Sequence, residues 1–344
     1  MDKTTYQPVF ELTRGKTVES VHYGAFAVVD VTGQIVLSHG NPNTITFLRS
    51  SAKPFQALPF IENGGDVYWG LSLPEVAILC ASHSGTDEHV TVLSQIQAKI
   101  SVTQDNLLCG VHPPIDEPTR MAMLERGEEP TPNRHNCSGK HTGMLAHARM
   151  INAPIEDYIN PEHPVQIRIL QAFSEMCEVN PRRVAIGIDG CSAPVFAIPL
   201  WNAALGYARL CHPVELDPQR AQACRTITHA MTTHPEMVAG PGKFDTRLMA
   251  ATHGKIVSKG GAEGYQQVGI MPDVIKSGSP GIGIALKISD GDRRGIVRPA
   301  VTLEILRRLG AITPSELEEL AEFGPRLPVT NWREIIVGEA YPIF

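Results

Sequence analysis

The strongest constraint on the fold is a pair of strand-and-turn patterns near opposite ends of a 344-residue chain. GAFAVVDVTGQIVLSHG, residues 24 to 40, alternates with a period of two, turns at Thr32-Gly33 and continues, which reads as a hairpin. GIGIALKISDGDRRGIVRP, residues 281 to 299, repeats the pattern around Asp290-Gly291. Between them the period changes to that of helices, at Asp87 to about Ile100 behind Thr86, Lys140 to Met150, Pro164 to Val179 and Asp217 to His234. Two more helices are expected at roughly 300–309 and 314–323, the second with Thr313 as cap, Pro314 at its first position and Glu316 closing a capping box. Strands grouped at the termini with helices between them predict an α+β fold, not alternating βαβ units. The expected organisation is one domain over 1–344, with an antiparallel sheet from about 1–70 and 255–344 and a mainly helical region over about 71–254.

Charge removes several function classes. Thirty basic against 36 acidic residues give −6, with no dense Lys/Arg cluster, so nucleic acid is not an expected partner. MDKTTYQPVF lacks the apolar core of a signal peptide and no apolar run reaches bilayer length, so a cytoplasmic protein with no membrane partner is expected. Seven cysteines, at 80, 109, 137, 177, 191, 211 and 224, make an odd count in a long chain and argue against a disulfide framework.

RSSAKPFQAL, residues 49 to 58, places Ser50, Ser51 and Lys53 together. If the chain turns helical at Arg49, Ser50 and Lys53 stand at i and i+3 on one face and Ser51 points elsewhere. A serine hydroxyl attacks an amide only when a neighbouring base takes its proton, and lysine is such a base only when neutral. The same spacing also fits a polar first turn with a capping serine, and Pro54 suits a helix start.

Four other segments carry reactive groups. NRHNCSGKHTGML, 133 to 145, sets Cys137, Lys140 and His141 at the start of a helical pattern. That spacing resembles half of a zinc site with lysine in a ligand's place, or a polar loop around a buried cysteine. VAIGIDGCSAP, 184 to 194, ends an apolar run in Asp189 and Cys191, where the acid suits either a substrate ammonium or an Asx-turn. CASHSGTDEH, 80 to 89, holds Ser82 and His83, whose adjacency in sequence says little about a dyad in space. VSKGGAEG, 257 to 264, presents Lys259 before glycines that let backbone come close to a ligand. Lys276-Ser277-Gly278 is a three-letter likeness to the K-[ST]-G strand of penicillin-recognising enzymes.

Taken in order, RSSAKPFQAL, CASHSG, NCSGKHTGML, IDGCSAP and SKGGAEG span residues 49 to 264 and resemble the L-asparaginase family typified by the rhizobial thermolabile enzyme. The chain is not similar to the common bacterial asparaginases with threonine nucleophiles, nor to the plant type that cleaves itself. The resemblance implies a fold like that of glutaminases and serine β-lactamases, two Ser-Lys pairs, a zinc ion near the substrate and a homodimer. Carried over residue by residue, Ser50 with Lys53 and Ser82 with Lys259 match the catalytic pairs, Cys137, Lys140 and Cys191 match the zinc ligands, and Asp189 matches the substrate-binding acid. Arg49 and His141 complete the expected substrate contacts.

The implied reaction is hydrolysis of L-asparagine to L-aspartate and ammonia through an acyl-enzyme, with Ser50 attacking and Lys53 taking its proton. The alternatives are a glutaminase or β-lactam-reactive relative, and a non-catalytic zinc or amino-acid binding protein on the same scaffold.

Overall fold

The computed structural model describes residues 5–344, which divide into two compact units. The first contains residues 5–51, Ile198–His212 and Ala251–Phe344; the second contains Ala52–Ala197 and Pro213–Ala250.

The first unit is built on an antiparallel sheet of strands β1 Gln7–Arg14, β2 Thr17–Asp30, β3 Ile35–His39, β4 Ile256–Gly261, β5 Tyr265–Ile270, β6 Ile282–Ile288, β7 Leu327–Thr330 and β8 Ile336–Pro342. Their spatial order is β7-β8-β1-β2-β6-β5-β4, with β3 also on β2. The sheet comes from the two terminal segments, as the sequence predicts. Strand β2 is exposed over Thr17–Ser20 and buried over Gly24–Asp30, and its partner changes from β1 to β6 at Gly24. A Cβ there would sit 2.9 Å from Val9 Cγ1 and 3.0 Å from Lys287 O, so glycine lets both neighbours close in. The hairpin over 24 to 40 forms as expected. The Asp30 carboxylate accepts from the backbone N–H groups of Thr32 and Gln34, and Gly33 takes φ +88.

The second expected hairpin does not form. β6 is a strand, but the chain after Asp290-Gly291 enters the helix Val297–Leu309. Both edges of β6 are already occupied by β2 and β5, and the Asp292 carboxylate accepts from the N–H groups of Val297 and Arg298, satisfying two donors at the helix start. The sheet is completed instead by β7 and β8, β8 pairing with β1 through Phe10 and Pro342. Against β2, β5 and β6 lies the helix Leu200–Cys211, an element not expected from the sequence and buried at ten of its twelve residues. Gly283 makes that packing possible, since a Cβ would collide with Ala204 O. Lys276-Ser277-Gly278 lies outside any strand.

The second unit is mainly helical: α1 Lys53–Glu62, α2 Leu73–Leu79, α3 Asp87–Lys99, α4 Ser138–Met150, α5 Pro164–Met176 and α6 Pro218–Thr233. Helix α1 is its centre, buried from Lys53 to Ile61 and packed on α4, α5 and α6. Helix α2 starts at a Ser72/Glu75 capping box and lies against α4, where a Cβ on Gly139 would collide with Ile78 O. Strand Ala185–Ile188 pairs antiparallel with strand Pro194–Pro199. Among the described residues no helix is long and apolar enough to cross a membrane.

Candidate active site

Lys53 is the first residue of α1, which follows a tight turn over Arg49–Ala52, and Pro54 falls in the first helical turn, where its missing N–H leaves no bond unmade. The lysine is 1% exposed, and a buried amine requires partners. Its amine donates to Ala81 O at 2.5 Å, Ser82 Oγ at 2.8 Å and Asn136 O at 3.3 Å, and it also bonds the Cys137 sulfur, all in the second unit. The hydroxyl hydrogen-bonded to Lys53 is therefore Ser82, whereas the i, i+3 spacing pairs the lysine with Ser50. That spacing holds within one continuous helix. Here Arg49 has φ +52 and the helix proper begins only at Lys53.

The other half of the expected set lies in the first unit. Ser50 and Arg49 are half-buried in the turn ahead of α1. Ser51 is fully buried and structural: its hydroxyl donates to Lys259 O at 2.7 Å and its carbonyl accepts from Tyr207 Oη at 2.9 Å. Lys259, on β4, is 1% exposed, and its amine donates to Gly260 O at 3.1 Å. Gly261 lets the preceding chain approach, because a Cβ there would stand 2.5 Å from Leu48 O.

Cys137, Lys140 and Cys191 come together in the second unit, 5%, 4% and 2% exposed. Lys140 Nζ donates to Cys191 Sγ at 2.9 Å. A hydrogen bond from Cys191 holds the Cys137 thiol well below its ordinary range, helped by Lys53 and Lys140 and opposed by burial. Burial acts to lower the Lys140 amine, but the Cys191 and Cys137 sulfurs outweigh it and raise the net value. Cys109 contrasts with them, pushed by burial to about 12 and thus kept a thiol. His141 is fully buried; desolvation pushes it down to about 4, opposed by a hydrogen bond to the Cys191 sulfur, while Nδ1 lies 2.7 Å from Tyr158 Oη. Among the described residues no three His, Cys, Asp or Glu side chains are placed to hold a metal ion. Two thiols and a lysine amine reach three donors only because lysine is counted. Asp189 is half-buried in the turn before Cys191, and its carboxylate accepts from the Gly190 N–H at 2.8 Å.

Sequence reasoning missed the supporting groups. His112, in a proline-rich loop, accepts the Asn136 N–H at 3.1 Å; His135 accepts the Cys137 N–H at 3.0 Å; and His83 lies 2.8 Å from Ser138 Oγ. Three imidazoles thus hold the backbone or side chains at the start of α4. His83 in CASHSG, His112 in HPPIDEP and His135 in NRHNCSGKH were visible as residues, but their partners were not.

The family model for L-asparaginase II matches residues 10–342. No curated protein sequence matches the chain. Among solved structures, a Bacillus subtilis glutaminase in covalent complex with 5-oxo-L-norleucine is similar at 12% identity and TM-score 0.38, over 83% of this chain and 87% of that one. The protein called Mglu is similar at 11% identity and TM-score 0.44, over 84% of this chain and 68% of its own.

Proposed function

The chain belongs to the L-asparaginase II family of amide hydrolases, and from that premise we propose that it hydrolyses L-asparagine to L-aspartate and ammonia through an acyl-enzyme. The observation that carries the mechanism is the 2.8 Å approach of Lys53 Nζ to Ser82 Oγ. A neutral lysine has two N–H bonds and one lone pair. In the structure the amine donates to Ser82 Oγ as well as to Ala81 O and Asn136 O; once neutral, with the two carbonyls keeping its N–H bonds, it would turn its lone pair to the Ser82 O–H. The carbonyls thereby orient the amine as a base.

In this reading Ser82 attacks the side-chain amide carbon while Lys53 takes its proton. The same proton, delivered to the amide nitrogen, lets ammonia leave, and water then hydrolyses the ester to aspartate and free serine. Ser50 and Lys259, the remaining members of the two expected pairs, are each proposed to assist the leaving group or the attacking water. Arg49, Asp189 and His141 are proposed to hold the α-carboxylate and α-ammonium of the substrate.

The donor set at Cys137, Lys140 and Cys191 fits a zinc ion. Thiolates and an amine are ligands zinc accepts, the three groups are buried together, and they already share protons whose positive charge a divalent cation would replace. Bound there, zinc would supply fixed positive charge for binding the amino-acid end of the substrate. A cytoplasmic homodimer completes the proposal.

The test is ammonia release measured side by side with asparagine and glutamine, together with hydrolysis of a chromogenic β-lactam. Asparagine turnover at least about tenfold above glutamine supports the reading, since the pocket must then tell apart one methylene. Preference for glutamine or the β-lactam, or binding without ammonia release, overturns it.

A further inference from the structure

We propose that His83 is a positioning residue that locks the Ser82 turn to the start of α4 through a buried relay, acting only as the neutral tautomer protonated at Nε2. The proposal rests on the reading of Ser82 and Lys53 as catalytic groups.

The direction of every bond in the relay is fixed by its ends. The Gly85 N–H donates to His83 Nδ1 at 3.1 Å, so Nδ1 holds the lone pair and the ring proton is on Nε2. Nε2 lies 2.8 Å from Ser138 Oγ, and the Ser138 hydroxyl spends its own proton on Asn133 O at 3.1 Å, leaving its oxygen to accept from His83. Burial of the ring at 0% exposure, with His89 stacked at 4.9 Å and Lys53 nearby, keeps the imidazole neutral, well below the ordinary histidine range.

Geometry gives the relay its role. Lys53 Nζ touches both Ser82 Oγ and Asn136 O. His83 and Ser138, one and two residues further along the same two segments, make a second cross-link. Two links between two segments fix their rotation as well as their distance, so the Ser82 backbone cannot swing relative to the segment that carries Cys137 and Lys140. The remaining bonds of the turn tighten it: Ser82 N–H to Val238 O, Ser84 Oγ to Ala239 O, and Arg134 Nη1 to Gly85 O at 2.9 Å. Gly85 has φ +73, and a Cβ there would lie 2.6 Å from Arg134 O, so the turn accepts only glycine at that point.

The experiment compares His83→Gln, whose amide nitrogen stands where Nε2 stands, with His83→Asn, which keeps only an acceptor for Gly85, and His83→Leu, which keeps neither. Expected is a kcat within about tenfold of wild type for Gln and a fall of roughly 10- to 100-fold for Asn and Leu, with KM for asparagine changed less than about threefold. Wild-type kcat in folded Asn and Leu variants, or a Gln variant as impaired as Leu, overturns the proposal. Nitrogen NMR of the wild-type protein tests it independently of folding in the variants: an unprotonated Nδ1 and protonated Nε2 for His83, unchanged from pH 8 to 6, are expected, and the opposite tautomer overturns it. Wild-type protein that releases no ammonia refutes the catalytic reading instead, and leaves the tautomer measurable.

Discussion

Lys53 and Ser82, 29 residues apart in the chain, meet at 2.8 Å inside the helical unit, and two backbone carbonyls hold the amine in place. This relationship decides which hydroxyl the first experiment tests.

Ser82→Ala and Lys53→Met are each expected to lower kcat by about a thousandfold or more in folded protein, because nucleophile and base act as a unit. Ser50→Ala should cost less if its hydroxyl only assists. Ser51→Ala should leave kcat within about tenfold while costing roughly 1–2 kcal/mol of stability through the lost bond to Lys259 O. Ammonia-release kinetics and thermal melts of the four variants check this, and full activity in Ser82→Ala transfers the nucleophile to Ser50.

Turnover is expected to rise toward alkaline pH. Lysine accepts a proton only as the free amine, so each base must lose its proton before it can work. A kcat profile peaking below about pH 6 would indicate a carboxylate base instead.

Purified protein is expected to contain one zinc per chain, and Cys137→Ser and Cys191→Ser to lose it. If the ion binds the amino-acid end of the substrate, its removal should raise KM before it lowers kcat. Elemental analysis with kinetics of each variant decides this. Unchanged metal content in both cysteine variants sinks the site.

His147 predicts acid sensitivity of the fold. It is 1% exposed, neither ring nitrogen has a hydrogen-bond partner, and desolvation pushes it from 6.5 to about 4, with Arg168 and His163 adding to the shift. The neutral form is the one the fold accepts, so its contribution is fully present above about pH 6.5 and is lost as pH falls through about 4, amounting to roughly 3 kcal/mol. His147→Leu is expected to flatten that acid limb and to hold or raise stability at pH 7. Denaturant melts from pH 7 to 4 measure it, and an unchanged pH slope in the variant removes His147 as the cause.

Much of the fold was legible because its signals are local. The turn at Asp30–Gln34, the Thr313/Glu316 capping box and the helices α3, α4, α5 and α6 each write their own start or period into consecutive residues. The helix Leu200–Cys211 was not expected, although its apolar residues recur at helical spacing: it continues directly from the apolar strand Pro194–Pro199, and no side-chain cap marks its start. The segment after Asp290-Gly291 was misread for a different reason: its strand pattern ends where β6 has no free edge left to pair.

The same division runs through the site. The motif blocks marked the family, and the resemblance they carry supplied the candidate serines and lysines and the grouping of Cys137, Lys140 and Cys191, which spacing alone left open between half a zinc site and a polar loop. Only the tertiary structure decided that Lys53 bonds Ser82, that Ser51 holds the backbone of Lys259, and that His83 faces Ser138. A lysine side chain reaches several ångströms beyond its own helix turn, and a buried amine takes whatever acceptors packing brings within 3 Å or so, which no pattern of neighbours along the chain can specify.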